Sequence, residues 1–337
     1  MYGRGIHLEN NKCKLQTMDE LLCNMPAREI KDEEFLKVKS EYSSCLILLW
    51  IEEKFNIISG NYYDWEEEIK ENYNFFIENQ NSDPDCNTRF IKYGSQKVVE
   101  LNRKLNNLLS SIRLYQDQTY HELSSMEKRL GMTNLVKQLK NKSHELYDES
   151  LSYQLLELMR NHMQHQGLIV ERITAIIPFN RKVDKELWYF VETSLDELRL
   201  IEKYDQKIKS KEELKDKGKW INLIGLVREY YNQINRLHNS FRDISARILE
   251  EALKSIEEIK RKYYNDTMIS QIGFYGKGEE PFADFLLQVT YIDRIKKYRS
   301  MESCTDESRY YINKKVFIDE SKLKVSNSVR CSIRYNM

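Results

Sequence analysis

The sequence predicts a mainly α protein: a helical bundle with a small β-hairpin insertion and an additional C-terminal region of mixed helix and strand. Three observations lead there. Gly and Pro number only 11 and 4 in 337 residues, and scarce breakers favour long helices. Apolar residues recur at steps of three and four over most of the chain. Between Leu168 and Val191 the text changes to Ile-, Val- and aromatic-rich runs around Pro178-Phe179-Asn180, the composition of two strands and a turn.

Residues 1–34 carry little pattern and read as an N-terminal arm. Asp32 to Phe55 reads as a helix through Phe35, Val38, Tyr42, Cys45 and Leu49. Gly60-Asn61 should break it, with an aromatic helix following over Tyr63 to Ile77 and a loop over Asn79 to Asn87. In Ser95 to Leu130, Val98, Leu101, Leu105, Leu108, Ile112 and Tyr115 form one apolar stripe. Gly131 interrupts it, and a short basic helix over Thr133 to Leu146 follows. Glu149 to Gln166 is the next helix, with Leu151, Leu155, Leu158, Met159 and Met163 on one face and Gly167 as its stop.

Leu168 to Phe179 and Glu186 to Val191 pair as the hairpin, and Ser194 with Glu197 has the spacing of a capping box. Lys203 to Lys219 reads as a linker charged in both signs. From Trp220, the residues Ile224, Val227, Tyr231, Ile234, Phe241, Ile248, Ile256 and Ile259 trace a long helix with room for one break. Gly273 to Gly278 reads as a loop, Phe282 to Tyr298 as a helix and Tyr310 to Tyr335 as weakly strand-like. The domain reading is an arm (1–34), a helical domain (35–264, hairpin insertion about 168–193) and a C-terminal extension (265–337).

Charged residues make up 31% and apolar ones 41%, the balance of a globular chain rather than a disordered one. The formal net charge is zero, so a nucleic acid would have to be held by a local patch. Cys13, Cys23, Cys45, Cys86, Cys304 and Cys331 are scattered, without zinc spacing. Met1 to Asn11 lacks the apolar core of a leader, and Cys45 to Ile51 is too short to span a bilayer. A cytoplasmic protein with ordinary thiols and no membrane partner is expected.

The chemistry concentrates in Arg160-Asn161-His162-Met163-Gln164-His165. Arginine clamps phosphate with parallel donors, histidine moves protons near neutral pH, and asparagine can hold either group. An ordinary surface arginine and a helix-end histidine would be spelled the same way. At a hundred degrees per residue Asn161 and His165 face one way, while Arg160 falls to the side of His165. One ideal helix therefore does not join guanidinium to imidazole; a second copy across a two-fold axis would complete the set.

The Arg-Asn-x-x-x-His pattern in a helical domain resembles the HEPN superfamily. The run from Tyr147 through Arg160-Asn161 and His165 to Leu168 is similar to a bacterial HEPN-like group, as is the upstream helix from Glu100 to Asp117. The resemblance implies a bundle of four or more helices, with the 95–130 helix against the motif helix and the helix from 220 completing it. It implies a homodimer joined through the motif helix, and metal-independent endoribonuclease activity leaving a cyclic phosphate and a 5′ hydroxyl. His165 would transfer protons, Arg160 would bind the scissile phosphate, and Asn161 would orient one of them.

No cofactor is implied. The partners would be RNA, a second copy and a neutralising or trigger protein, in a toxin or phage-defence effector. The alternative is a non-catalytic HEPN-like scaffold binding RNA, a nucleotide or a protein.

Four further features are read as structural. The runs Lys137 to Lys142 and Lys260 to Tyr264 read first as solvated helix faces, with contact to an RNA backbone as the alternative. His121 and His144 show no ligand pattern, and His162 stands where an aromatic residue is common in the family. His238 reads as a packed residue. Gly273, Gly276 and Gly278 lack the lysine and strand of a phosphate loop.

Overall fold

The computed structural model describes residues 12–23, 25–79, 86–165, 167–178, 188–195, 219–265, 269–277, 283–300 and 328–334. Within them the chain is mainly α, as predicted. The elements in order are β1 (Lys14–Thr17), α1 (Met18–Leu22), β2 (Arg28–Glu29), α2 (Asp32–Glu78), α3 (Cys86–Leu130), α4 (Leu135–Glu149), α5 (Leu151–His165), β3 (Arg172–Pro178), β4 (Trp188–Ser194), β5 (Trp220–Asn222), α6 (Leu223–Tyr264), β6 (Gln271–Tyr275), β7 (Phe285–Gln288), α7 (Val289–Ser300) and β8 (Ser328–Arg334). They gather into two compact units, one drawn from residues 1–54, 118–139 and 240–302, the other from 55–117, 140–239 and 303–337.

The first unit holds a four-stranded antiparallel sheet in the order β2-β1-β6-β7. Leu15 stands opposite Phe274, and Ile272 opposite Leu287; all four are fully buried. Phe274 stacks on Phe285 at 4.5 Å, and Phe35 of α2 packs edge-on against Phe285. Residues 14–17 and 28–29 are therefore strands rather than parts of a patternless arm. Sequence periodicity could not find them, because strands of four and two residues span too few alternations. A capping box joins Thr17 and Glu20 at the head of α1. The other spacing singled out, Ser194 with Glu197, runs outside the described residues. Gly273 lies in β6 rather than in a loop, and Phe285–Gln288 is a strand before α7 begins.

Glu52 anchors a second cluster in this unit. Its buried carboxylate takes Arg242 at 2.7 Å and Arg299 at 2.7 Å. Arg242 also donates to the Tyr298 carbonyl, and Arg299 to the Arg242 carbonyl. Two guanidiniums on one carboxylate thus fasten α7 to α2 and α6.

The second unit holds a helical bundle and a sheet in the order β5-β4-β3-β8. The expected hairpin is present as β3 and β4, with Arg172 opposite Glu192 and Ala175 opposite Tyr189. It is not an isolated insertion: β5 pairs with β4 on one side and β8 with β3 on the other. Arg172 makes a two-point ion pair with Glu192 and lies 3.6 Å over the Trp220 ring.

Helix α3 carries the apolar stripe read from the sequence, and Val98, Leu101, Leu105, Leu108 and Ile112 have no exposed surface. Gln116 of α3 donates to the Tyr153 hydroxyl of α5. Tyr230 of α6 reaches Glu157 of α5, and Arg228 of α6 pairs in two-point fashion with Glu66 of α2 at 2.8 and 2.7 Å. Tyr62 stacks on Tyr231 at 3.9 Å. His238 is a core residue as expected, stacked on Phe55 at 3.8 Å and bonded through Nδ1 to the Tyr115 hydroxyl.

Three helix boundaries differ from the expectation. Gly60-Asn61 does not break α2, which runs unbroken from Asp32 to Glu78. A glycine inside a helix costs only about 1 kcal/mol, and the flanking Phe55, Ile58, Tyr62 and Trp65 are all buried. Helix α3 begins at Cys86, inside the stretch read as a loop. Helix α6 has no break, and Trp220–Asn222 before it is a strand. The linker reading over Lys203 to Lys219 falls almost wholly outside the described residues. Gly131 ends α3 with φ +64, a conformation open to glycine at little cost.

Candidate functional site

The candidate site lies on the last turns of α5. Gln154 starts the helix firmly by donating to the Tyr147 carbonyl, and Ser150 accepts from the Tyr153 amide. Leu155, Leu156, Leu158 and Met159 then bury the inner face. Burial fades along the helix: Arg160, Asn161 and His162 are half-buried and His165 is exposed. The Gly167 amide closes the end on the His162 carbonyl at 3.2 Å. The apolar stripe therefore places the motif where a core-facing helix emerges at the surface of its own unit.

Arg160 does not point freely into solvent; its side chain is 11% exposed. Its Nη2 donates to Asn161 Oδ1 at 2.6 Å and stands 3.7 Å from Glu157 Oε2. Its Nε is buried without a partner. Glu157 Oε1 accepts a 2.6 Å hydrogen bond from the Tyr230 hydroxyl. Burial, with the Glu157 charge behind it, holds that hydroxyl well above the ordinary tyrosine range, so it remains a donor. The result is a chain Tyr230–Glu157–Arg160–Asn161 across two helices.

Of the three predicted residues, the structure brings two together. Asn161 holds Arg160, one of the roles open to it. Among the described residues no hydrogen bond or ion pair joins Arg160 to His165, as the helix geometry anticipated. His162 carries a buried Nδ1 without a partner. Sequence reasoning missed Glu157 and Tyr230. The i, i+3 spacing of Glu157 and Arg160 is a usable ion-pair signal. Tyr230 stands 73 residues away and gives none.

Behind the motif, the chain is fixed by Asn102 of α3. Its Oδ1 accepts from the amides of Ile169 and Val170 at 2.9 Å, and its Nδ2 donates to the Val170 carbonyl at 2.8 Å. The Glu171 amide then bonds to the Glu192 carbonyl. The exit of the motif helix is thereby tied to both the bundle and the sheet.

Of the other basic runs, Lys262 is paired with Glu34, which also accepts from the Tyr263 hydroxyl, and Lys142 is paired with Glu145. Those partners fit the reading of solvated, ion-paired helix faces. No group of three or more His, Cys, Asp or Glu with the arrangement of a metal site occurs among the described residues. None of their helices is long and apolar enough to cross a membrane. Burial pushes the Cys45 thiol up to about 12, which suits it to packing rather than nucleophilic chemistry.

The fold and site define a mainly α protein with a surface Arg-Asn-x-x-x-His helix. Comparison of the chain with protein-family models, curated proteins and solved structures finds no match.

Proposed function

We propose that the chain is a metal-independent endoribonuclease of HEPN type, acting as a toxin or phage-defence effector. One observation carries the reading: an arginine with an unspent buried donor sits five residues before an exposed histidine, on a helix whose other face is core. In this reading Arg160 binds the non-bridging oxygens of the scissile phosphate, and its charge is worth most as negative charge builds on those oxygens. Asn161 keeps the guanidinium in place. His165 takes the proton from the 2′ hydroxyl as that oxygen attacks phosphorus. The bond from phosphorus to the 5′ oxygen breaks, and that oxygen receives a proton from a second imidazole. The products are a 2′,3′-cyclic phosphate and a 5′ hydroxyl.

Arg160 and His165 of one copy are not in contact, so the reading calls for a homodimer. The partner's His165 supplies the second imidazole across a two-fold axis. Proton transfer by a placed histidine contributes about two to four powers of ten in rate. The expected result is degradation of cellular RNA by the wild-type protein in the presence of a chelator, with loss of at least about a hundredfold in His165→Ala. Equal inertness of the two proteins on every RNA, whole-cell RNA included, would end this reading.

A second reading, a non-catalytic HEPN-like scaffold for RNA, a nucleotide or a protein, is favoured by one fact. Arg160 spends its visible contacts on Glu157 and Asn161. Toxicity on expression that disappears with Arg160→Ala separates the two in favour of the nuclease.

A further inference from the structure

Glu157 is the unexpected member of the motif helix. One carboxylate oxygen is held by Tyr230 at 2.6 Å; the other stands 3.7 Å from the Arg160 guanidinium. A charge-assisted hydrogen bond is shorter, about 2.7–2.9 Å, so the carboxylate balances the arginine's charge without saturating its donors. Arg160 Nε remains buried and unbonded.

Tyr230 is itself immobilised. It is 1% exposed, its ring packs edge-on against Tyr153 at 5.0 Å, and the Tyr153 hydroxyl accepts from Gln116. The carboxylate is thus pinned by one hydroxyl, itself packed against Tyr153, and faces the arginine at a distance.

We infer that Glu157 is a built-in competitor for Arg160, a carboxylate pinned by Tyr230 that occupies the arginine's charge until an RNA phosphate replaces it. The inference rests on the phosphate-binding role proposed for Arg160. A phosphodiester offers two non-bridging oxygens to the planar guanidinium fork, whose donors Glu157 at 3.7 Å does not saturate. The resting protein is therefore a weak RNA binder by construction. Glu157 sets how strongly a phosphate must compete, and Tyr230 is the positioning residue that acts through it.

The test uses the full-length chain and a 2′-O-methyl oligoribonucleotide, which has no free 2′ hydroxyl for the attack, with binding read by fluorescence anisotropy at one fixed salt concentration. Glu157→Gln keeps an acceptor for Tyr230 and removes the competing charge. It should bind about tenfold more tightly than wild type, and adding Arg160→Ala should erase the gain. Glu157→Met, uncharged and of similar length, gives the same readout should the glutamine variant fail to fold. Equal or weaker binding by the neutral variants, a gain that survives loss of Arg160, or no binding by any protein would each overturn the inference. Cleavage of unmodified RNA is scored separately. Tighter binding with no cleavage by any variant sinks the nuclease and keeps the competitor; cleavage with no gain in binding does the reverse.

Discussion

Replacing Asn102 by alanine should cost about 3–6 kcal/mol and loosen the segment that leaves the motif helix. The side chain is 2% exposed and makes four hydrogen bonds. One of them, to the Val98 carbonyl, is a second bond to a group in the α3 ladder and matters least. The other three satisfy the Ile169 amide, the Val170 amide and the Val170 carbonyl. Both residues are 1% exposed, so alanine strands three buried backbone groups at about 1–3 kcal/mol each, less where water enters. Two measurements read this: the urea midpoint, and amide hydrogen exchange at positions 169 and 170. Asn102→Asp keeps the acceptor for both amides but loses the donor to the Val98 and Val170 carbonyls and sets a buried carboxylate against them, so its loss should be at least as large. A midpoint change worth less than about 1 kcal/mol, with exchange at 169 and 170 unchanged, would refute the claim that one side chain holds this exit.

Breaking the buried pair between Glu66 and Arg228 from one side, as Glu66→Ala, should destabilise by about 3–5 kcal/mol. The double replacement Glu66→Met with Arg228→Leu should recover most of that, and a double variant no better than the single would contradict the account. Acidification gives a third prediction. Burial pushes the Glu68 carboxyl up, but Lys104 and Lys97 outweigh it and hold it below its ordinary value of 4.5. A carboxyl lowered in the folded state stabilises fully above that value and loses the contribution as pH falls through the folded one. Glu68→Gln should therefore lose less stability than wild type on acidification below about pH 4.5, measured by urea unfolding at successive pH values. Parallel losses would contradict the assignment.

The helices were legible because periodicity records burial. The stripe from Val98 to Tyr115 is the buried face of α3, and Leu155, Leu158 and Met159 are the buried face of α5. The hairpin at 172–194 was legible from its change of period. The strands at 14–17 and 271–275 were not, since each is short and they pair across about 250 residues of sequence with no local signal. The continuity of α2 through Gly60 was hidden for a related reason. A glycine reads locally as a break, while buried neighbours on either side decide otherwise.

For the candidate site the division is sharper. The sequence alone determined that Arg160, Asn161 and His165 ride one helix, that this helix emerges from a core face, and that Gly167 ends it. It also determined that one straight helix does not bring Arg160 to His165. Only the tertiary structure decided what Arg160 touches. Its effective partner set includes Tyr230, held through Glu157 from another helix, and the exit after His165 is held by Asn102 from a third. The physical reason is the range of each interaction. Helical periodicity fixes the direction of a side chain within a few residues, whereas hydrogen bonds between helices depend on how distant stretches pack, which no local spacing encodes.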